Sequence, residues 1–87
     1  MRKNFALQSI ECRAILVPED GGFYVYASRL PGVCSQGENE KEAIANIVEA
    51  FRGAIQEYLD SGSEIPWQEN WFERPAGAIE RWMLVNV

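Results

Sequence analysis

One long amphipathic pattern, set off by residues suited to cap it at both ends, constrains this chain more than any other feature. Ile44, Ile47, Val48, Phe51, Ala54, Ile55, Tyr58 and Leu59 recur at steps of three and four, which on a helix draws a single apolar stripe. Glu42, Glu49, Gln56 and Asp60 fall on the opposite side. Asn39 stands where a helix needs a side-chain acceptor, Glu42 follows three residues later as in a capping box, and Gly62 supplies a residue free to turn left-handed. The spacing therefore predicts a helix over 40–61, roughly 33 Å long at 1.5 Å per residue. Gly53 falls on its outer side, where it costs up to about 1 kcal/mol relative to alanine. A rod of that length must bury its stripe on a second layer, and the flanking segments are β-prone.

Ser9 to Val17 is apolar on both faces and reads as an interior strand. Pro18-Glu19-Asp20-Gly21-Gly22 is a turn cluster leading into Phe23 to Ala27, so the two runs form a hairpin. Alternation puts Phe23, Val25 and Ala27 on one face of the second strand and Tyr24 and Tyr26 on the other. Leu30-Pro31-Gly32 interrupts the chain before a short strand, Val33 to Gln36, that stops at Gly37. After the helix, an irregular stretch from Glu64 through Gly77 holds Pro66, Trp67, Trp71, Phe72 and Pro75, and Ala78 to Val87 closes as a further strand. The reading is an α+β fold of order β-β-β-α-β. One helix packs on a three- to four-stranded, mainly antiparallel sheet, in a single domain over 1–87 without a separate DNA-binding domain.

Charge and residue inventory remove most chemistries. The chain carries 8 basic and 13 acidic residues, a net charge of −5, and no histidine. Most of the acid lies between Glu38 and Glu80, which argues against gripping phosphate and favours a basic partner. Histidine-assisted nucleophilic catalysis is impossible, and no glycine-rich phosphate loop or convergent carboxylate pair appears. No catalytic residue, metal site or cofactor is expected. Cys12 and Cys34 lack metal or redox spacing and are both expected to be buried. Nothing resembles a membrane span or a secretion signal, so the expected location is the cytoplasm. With 87 residues to fill a core, self-association into a dimer or tetramer is expected.

Trp67, Trp71, Trp82, Tyr24 and Tyr26 exceed what one helix-on-sheet core requires, and such residues favour protein interfaces. The expected contact residues are Tyr24, Tyr26 and Arg29 on or beside the second strand, together with Glu49, Glu57 and Asp60 on the helix.

The ordered run Leu30-Pro31-Gly32-Val33-Cys34-Ser35-Gln36-Gly37, then Glu42-Ala43, then a glycine with Ile65-Pro66 after the helix, is similar to the HicB family of bacterial antitoxins. The upstream Pro18-Glu19-Asp20-Gly21-Gly22-Phe23 hairpin fits as well, so the likeness covers about residues 10 to 66. The resemblance implies a truncated ribonuclease H-like fold. It also implies a non-enzymatic role, neutralising by direct binding a HicA toxin, a small basic RNA-cleaving protein with a catalytic histidine. Many HicB proteins continue into a DNA-binding module, whereas this sequence ends at Val87, so no autonomous nucleic-acid binding is expected. Ser28-Arg29 replaces the Pro-Asp common before the Leu-Pro-Gly of the family. The competing reading is an orphan oligomeric interaction module without a toxin. A metal-dependent nuclease is the least supported, since the metal-binding carboxylates of ribonuclease H have no evident counterparts.

Overall fold

A computed structural model describes residues 9–68 and 74–87. Four strands and one helix follow in the order β1 (Ser9–Glu19), β2 (Gly22–Ala27), β3 (Cys34–Gly37), α1 (Glu40–Ser61) and β4 (Ile79–Asn86). The strands form one antiparallel sheet in the spatial order β3-β2-β1-β4. The α+β reading and its element order hold, and β1 is interior as its two-sided apolar pattern requires. The hairpin is tighter than expected. Pro18 and Glu19 extend β1 opposite Phe23 and Gly22, leaving Asp20 and Gly21 as the turn, with Gly21 at φ 78°. Trp71 and Phe72 lie outside the described residues.

Register settles which side chains face the helix. Cys12, Ala14 and Leu16 of β1, Val25 and Ala27 of β2 and Val85 of β4 are buried on one side with Ala43, Ile47, Phe51 and Ile55 of α1. The helix ends as its caps dictate. The Asn39 side chain accepts from the Glu42 amide at 2.8 Å, while the Glu42 carboxylate accepts from the Glu38 amide at 2.6 Å. At the other end Gly62 turns left-handed at φ 73° and its amide reaches back to the Leu59 carbonyl.

Two expectations about burial fail. Leu59, placed on the apolar stripe by its spacing, is 46% exposed, because the last turn of α1 lies beyond the buried positions that end at Ile55. Cys34 is exposed whereas Cys12 is buried. Cys34 sits opposite Tyr26 on a short outer strand and so points away from the helix, while Val33 just before it is buried in the loop.

The join between sheet and helix is close. A Cβ on Gly37 would stand 2.7 Å from Ala43 Cα and 2.8 Å from the Glu42 carbonyl carbon, and one on Gly22 would meet the Gly37 carbonyl oxygen. Both glycines let backbone rest directly on backbone. Asn46 Nδ2 donates to the Gln36 carbonyl at 2.7 Å, Arg81 Nε donates to the Glu40 carboxylate at 2.7 Å, and Arg52 Nε donates to the Asn86 carbonyl at 3.0 Å. These contacts pin the helix at β3 and at β4.

Candidate functional site

The helix covers one face of the sheet, so the opposite face carries the residues that alternate with the core. Cross-strand pairs Ile15–Tyr26, Val17–Tyr24, Tyr26–Cys34 and Tyr24–Gln36 lie there side by side. The Tyr24 and Tyr26 rings are 6.0 Å apart, with Tyr24 36% exposed. They line an open groove of about 450 Å³ whose other walls are Ala27, Ser28, Pro31, Gly32, Val33, Cys34, Gln68 and Pro75. Its lining is largely apolar, with the two tyrosines, the Cys34 thiol, Ser28 and Gln68 as its polar members. Hydrogen bonding with the Cys34 side chain, followed by burial, pushes the Tyr24 phenol above its ordinary value.

The loop between β2 and β3 forms the rim. Leu30 is buried beneath it, the Ala27 amide donates to the Val33 carbonyl at 3.0 Å, and Ser28 is tied to β1 through the Arg13 carbonyl at 2.9 Å. A second hollow of about 420 Å³ lies across the rim, lined by Pro31, Gly32 and Val33 again and by Ala54, Glu57, Tyr58, Ser61 and Ser63 at the end of α1. Pro31–Val33 is thus a ridge shared by two grooves.

This geometry brings some of the expected contact residues together and separates others. Tyr24 and Tyr26 share the sheet-side groove, and Glu57 lines the helix-side hollow across the ridge. Asp60 is exposed near that end of the helix and accepts from Gln56 Nε2 at 3.1 Å. Glu49 is exposed nearly three turns away and borders neither groove. Arg29 lies with its guanidinium 5.7 Å from the ring centre of Trp67, and its carbonyl accepts from the Gln68 amide at 2.9 Å, so it anchors the segment after the helix. Trp67 in turn packs 6.1 Å from Phe51. Sequence reasoning missed Cys34, Gln68 and Pro75 in the groove. Strict alternation from Tyr26 across to its partner on β3 could have found Cys34, but the other two come from a loop whose path no periodicity encodes.

Among the described residues no group of three or more acidic, cysteine or histidine side chains is placed to hold a metal. No helix among them is long and apolar enough to cross a membrane. The two thiols differ sharply. Burial pushes Cys12 up to about 12, so in the folded chain a thiol-specific reagent at neutral pH should modify Cys34 alone, with Cys12 reacting only after denaturation. The same burial predicts an alkaline limit. Unfolded Cys12 releases its proton near pH 9 whereas the folded thiol keeps it to about 12, so stability should fall across that interval, by at most about 1.4 kcal/mol per pH unit. Equal reactivity of both thiols in the native state would contradict this burial.

What the fold defines is a small α+β domain of HicB type. It superposes on the crystal structure of the N-terminal domain of the Burkholderia pseudomallei antitoxin HicB with a TM-score of 0.65 and 27% identity, covering 90% of this chain and 98% of that one. The chain is also 42% identical over 48 residues to the UPF0150 protein Ta0767 of Thermoplasma acidophilum, a match spanning 55% of this chain and 70% of that protein. No protein-family model matches. The chain belongs to the UPF0150 family.

Proposed function

We propose that this chain is the antitoxin of a HicA/HicB-type pair. In this reading it is a non-enzymatic protein that neutralises a small basic RNA-cleaving toxin by covering it, and it works in the cytoplasm as a homo-oligomer on a ribonuclease H-like scaffold. The observation that carries the reading is the likeness to an antitoxin domain over nearly the whole of that domain. Charge supports it: the chain carries −5 overall, and Glu49, Glu57 and Asp60 are all exposed on α1, as an inhibitor of a basic protein requires. Opposite potentials speed encounter, and the apolar rings of Tyr24 and Tyr26 offer the dehydrated contact that holds a complex once formed.

In this reading the toxin contacts the Pro31–Val33 ridge, supported by the meeting there of the ring-lined groove and the Glu57 hollow. Co-expression should rescue growth from the toxin and yield a complex on purification. Joint substitution Glu57→Arg and Asp60→Arg should weaken capture about tenfold at low salt and flatten its salt dependence. The pair Tyr24→Ala and Tyr26→Ala should accelerate dissociation instead. Undiminished low-salt affinity in the first variant takes the helix out of the contact, and failure of the unaltered chain to bind or protect overturns the antitoxin reading itself.

A further inference from the structure

Among the described residues β4 is an outermost strand, paired with β1 along one side only. It is eight residues long. Outer strands of that length are normally shortened, charged or covered, because their unpaired amides and carbonyls template pairing with another chain. Here α1 packs chiefly over β3 and β2 and least over β4. On the face away from the helix Trp82 is 56% and Leu84 74% exposed, two neighbouring positions of the same strand face.

The charges on β4 are already matched within the chain. The Glu80 carboxylate meets Arg74 at 2.6 Å, Arg13 at 3.5 Å and the Trp82 indole N–H at 2.8 Å, with the Arg13 guanidinium 4.0 Å from the Trp82 ring centre. Arg81 is engaged by Glu40 at 2.7 Å. Two copies meeting through this strand therefore bring neutralised surfaces together. Two copies meeting through α1 would instead set Glu49, Glu57 and Asp60 of each against the same acids of the other.

We propose that β4 is a self-association edge, pairing antiparallel with β4 of a second copy about a two-fold axis at Met83. Such an axis keeps each side chain on its own sheet face, so candidate registers differ by whole residue pairs. With the axis at Met83, Trp82 lies opposite Leu84 of the second copy, and the same contact recurs on the other side of the axis. Arg81 then faces Val85 and Glu80 faces Asn86, so no like charges oppose. Centring on Trp82 sets Leu84 against Glu80, and centring on Leu84 sets Trp82 against Asn86. The Met83 register alone matches both exposed apolar side chains to each other. The result is a continuous eight-stranded sheet that leaves the Pro31–Val33 ridge of each copy at its far edges.

This inference rests on the self-association proposed above and is independent of toxin capture. Sedimentation velocity on the whole chain over micromolar to millimolar concentrations should show a dimer. Leu84→Lys should weaken it on the order of tenfold or more, since lysine suits the monomer, opposite Glu11, but strands a charge against Trp82 of the second copy. Glu49→Lys should leave the dimer intact. Hydrogen exchange on the unaltered chain supplies a reading that needs no variant, because β4 amides should gain protection with concentration while β3 amides do not. A wild-type chain that stays monomeric throughout overturns self-association as a whole. A dimer indifferent to Leu84→Lys, or β4 amides whose exchange ignores concentration, overturns this edge while leaving self-association standing.

Discussion

Gly37→Ala should destabilise the fold by about 3 kcal/mol, at the upper end of what overpacking a closed site costs. The added methyl group has nowhere to go. Its neighbours would be Ala43 Cα and the Glu42 carbonyl carbon, backbone of the first helical turns, and no side-chain rotation can make room. Nor can the helix step back freely. The two residues between β3 and α1, Glu38 and Asn39, are committed to the reciprocal cap with Glu42, and Asn46 ties the next turn to the Gln36 carbonyl. Urea unfolding followed by circular dichroism measures the loss. Gly53→Ala is the matched control, because a Cβ there meets nothing within 4 Å, and it should raise stability by up to about 1 kcal/mol through helix propensity. An unchanged midpoint for Gly37→Ala would mean the helix does not rest on β3 as described.

Phe51→Ala should cost more, about 3–5 kcal/mol, which is the usual range for emptying a large aromatic site. Among the described residues Phe51 is the largest fully buried side chain, at the middle of α1 where the helix crosses the sheet. It also supports Trp67, so its loss frees the segment that runs back from the helix end to Arg29. Since domains of this kind are stable by only about 5–15 kcal/mol, the variant should be partly unfolded at physiological temperature. Differential scanning calorimetry should show a much lower transition, and tryptophan emission should shift to the red before global unfolding as Trp67 becomes wetter. Phe51→Leu should recover most of the loss. A transition within a few degrees of the wild type for Phe51→Ala would place the core elsewhere.

The helix was legible almost to the residue because its limits are local chemistry. Asn39, Glu42 and Gly62 cap the ends through bonds that span only a few residues. Strand positions were legible for the same reason, since alternation from Phe23 to Ala27 is a property of a single segment. What failed depends on partners remote in sequence. Cys34 looks like a core residue by type, and only the pairing with Tyr26 turns it outward. Leu59 continues the apolar stripe by spacing, but the supporting layer stops short of it. The candidate site was half legible. Tyr24 and Tyr26 come from alternation, while the union of Glu57 with the Pro31–Val33 ridge requires knowing where the end of α1 comes down.

The spatial order of the strands also sets a timetable for assembly. β1, β2, β3 and α1 are each neighbours in sequence, so they can come together while the ribosome is still adding residues. β4 is different: Ser9 lies opposite Asn86, and that pairing closes a loop containing nearly the whole chain. Loop closure of this kind costs entropy that grows with length and contributes nothing until β4 has emerged. The first strand of the sheet to be made therefore waits longest for its second neighbour, and during synthesis the middle of the future sheet is a temporary border that β4 must seal.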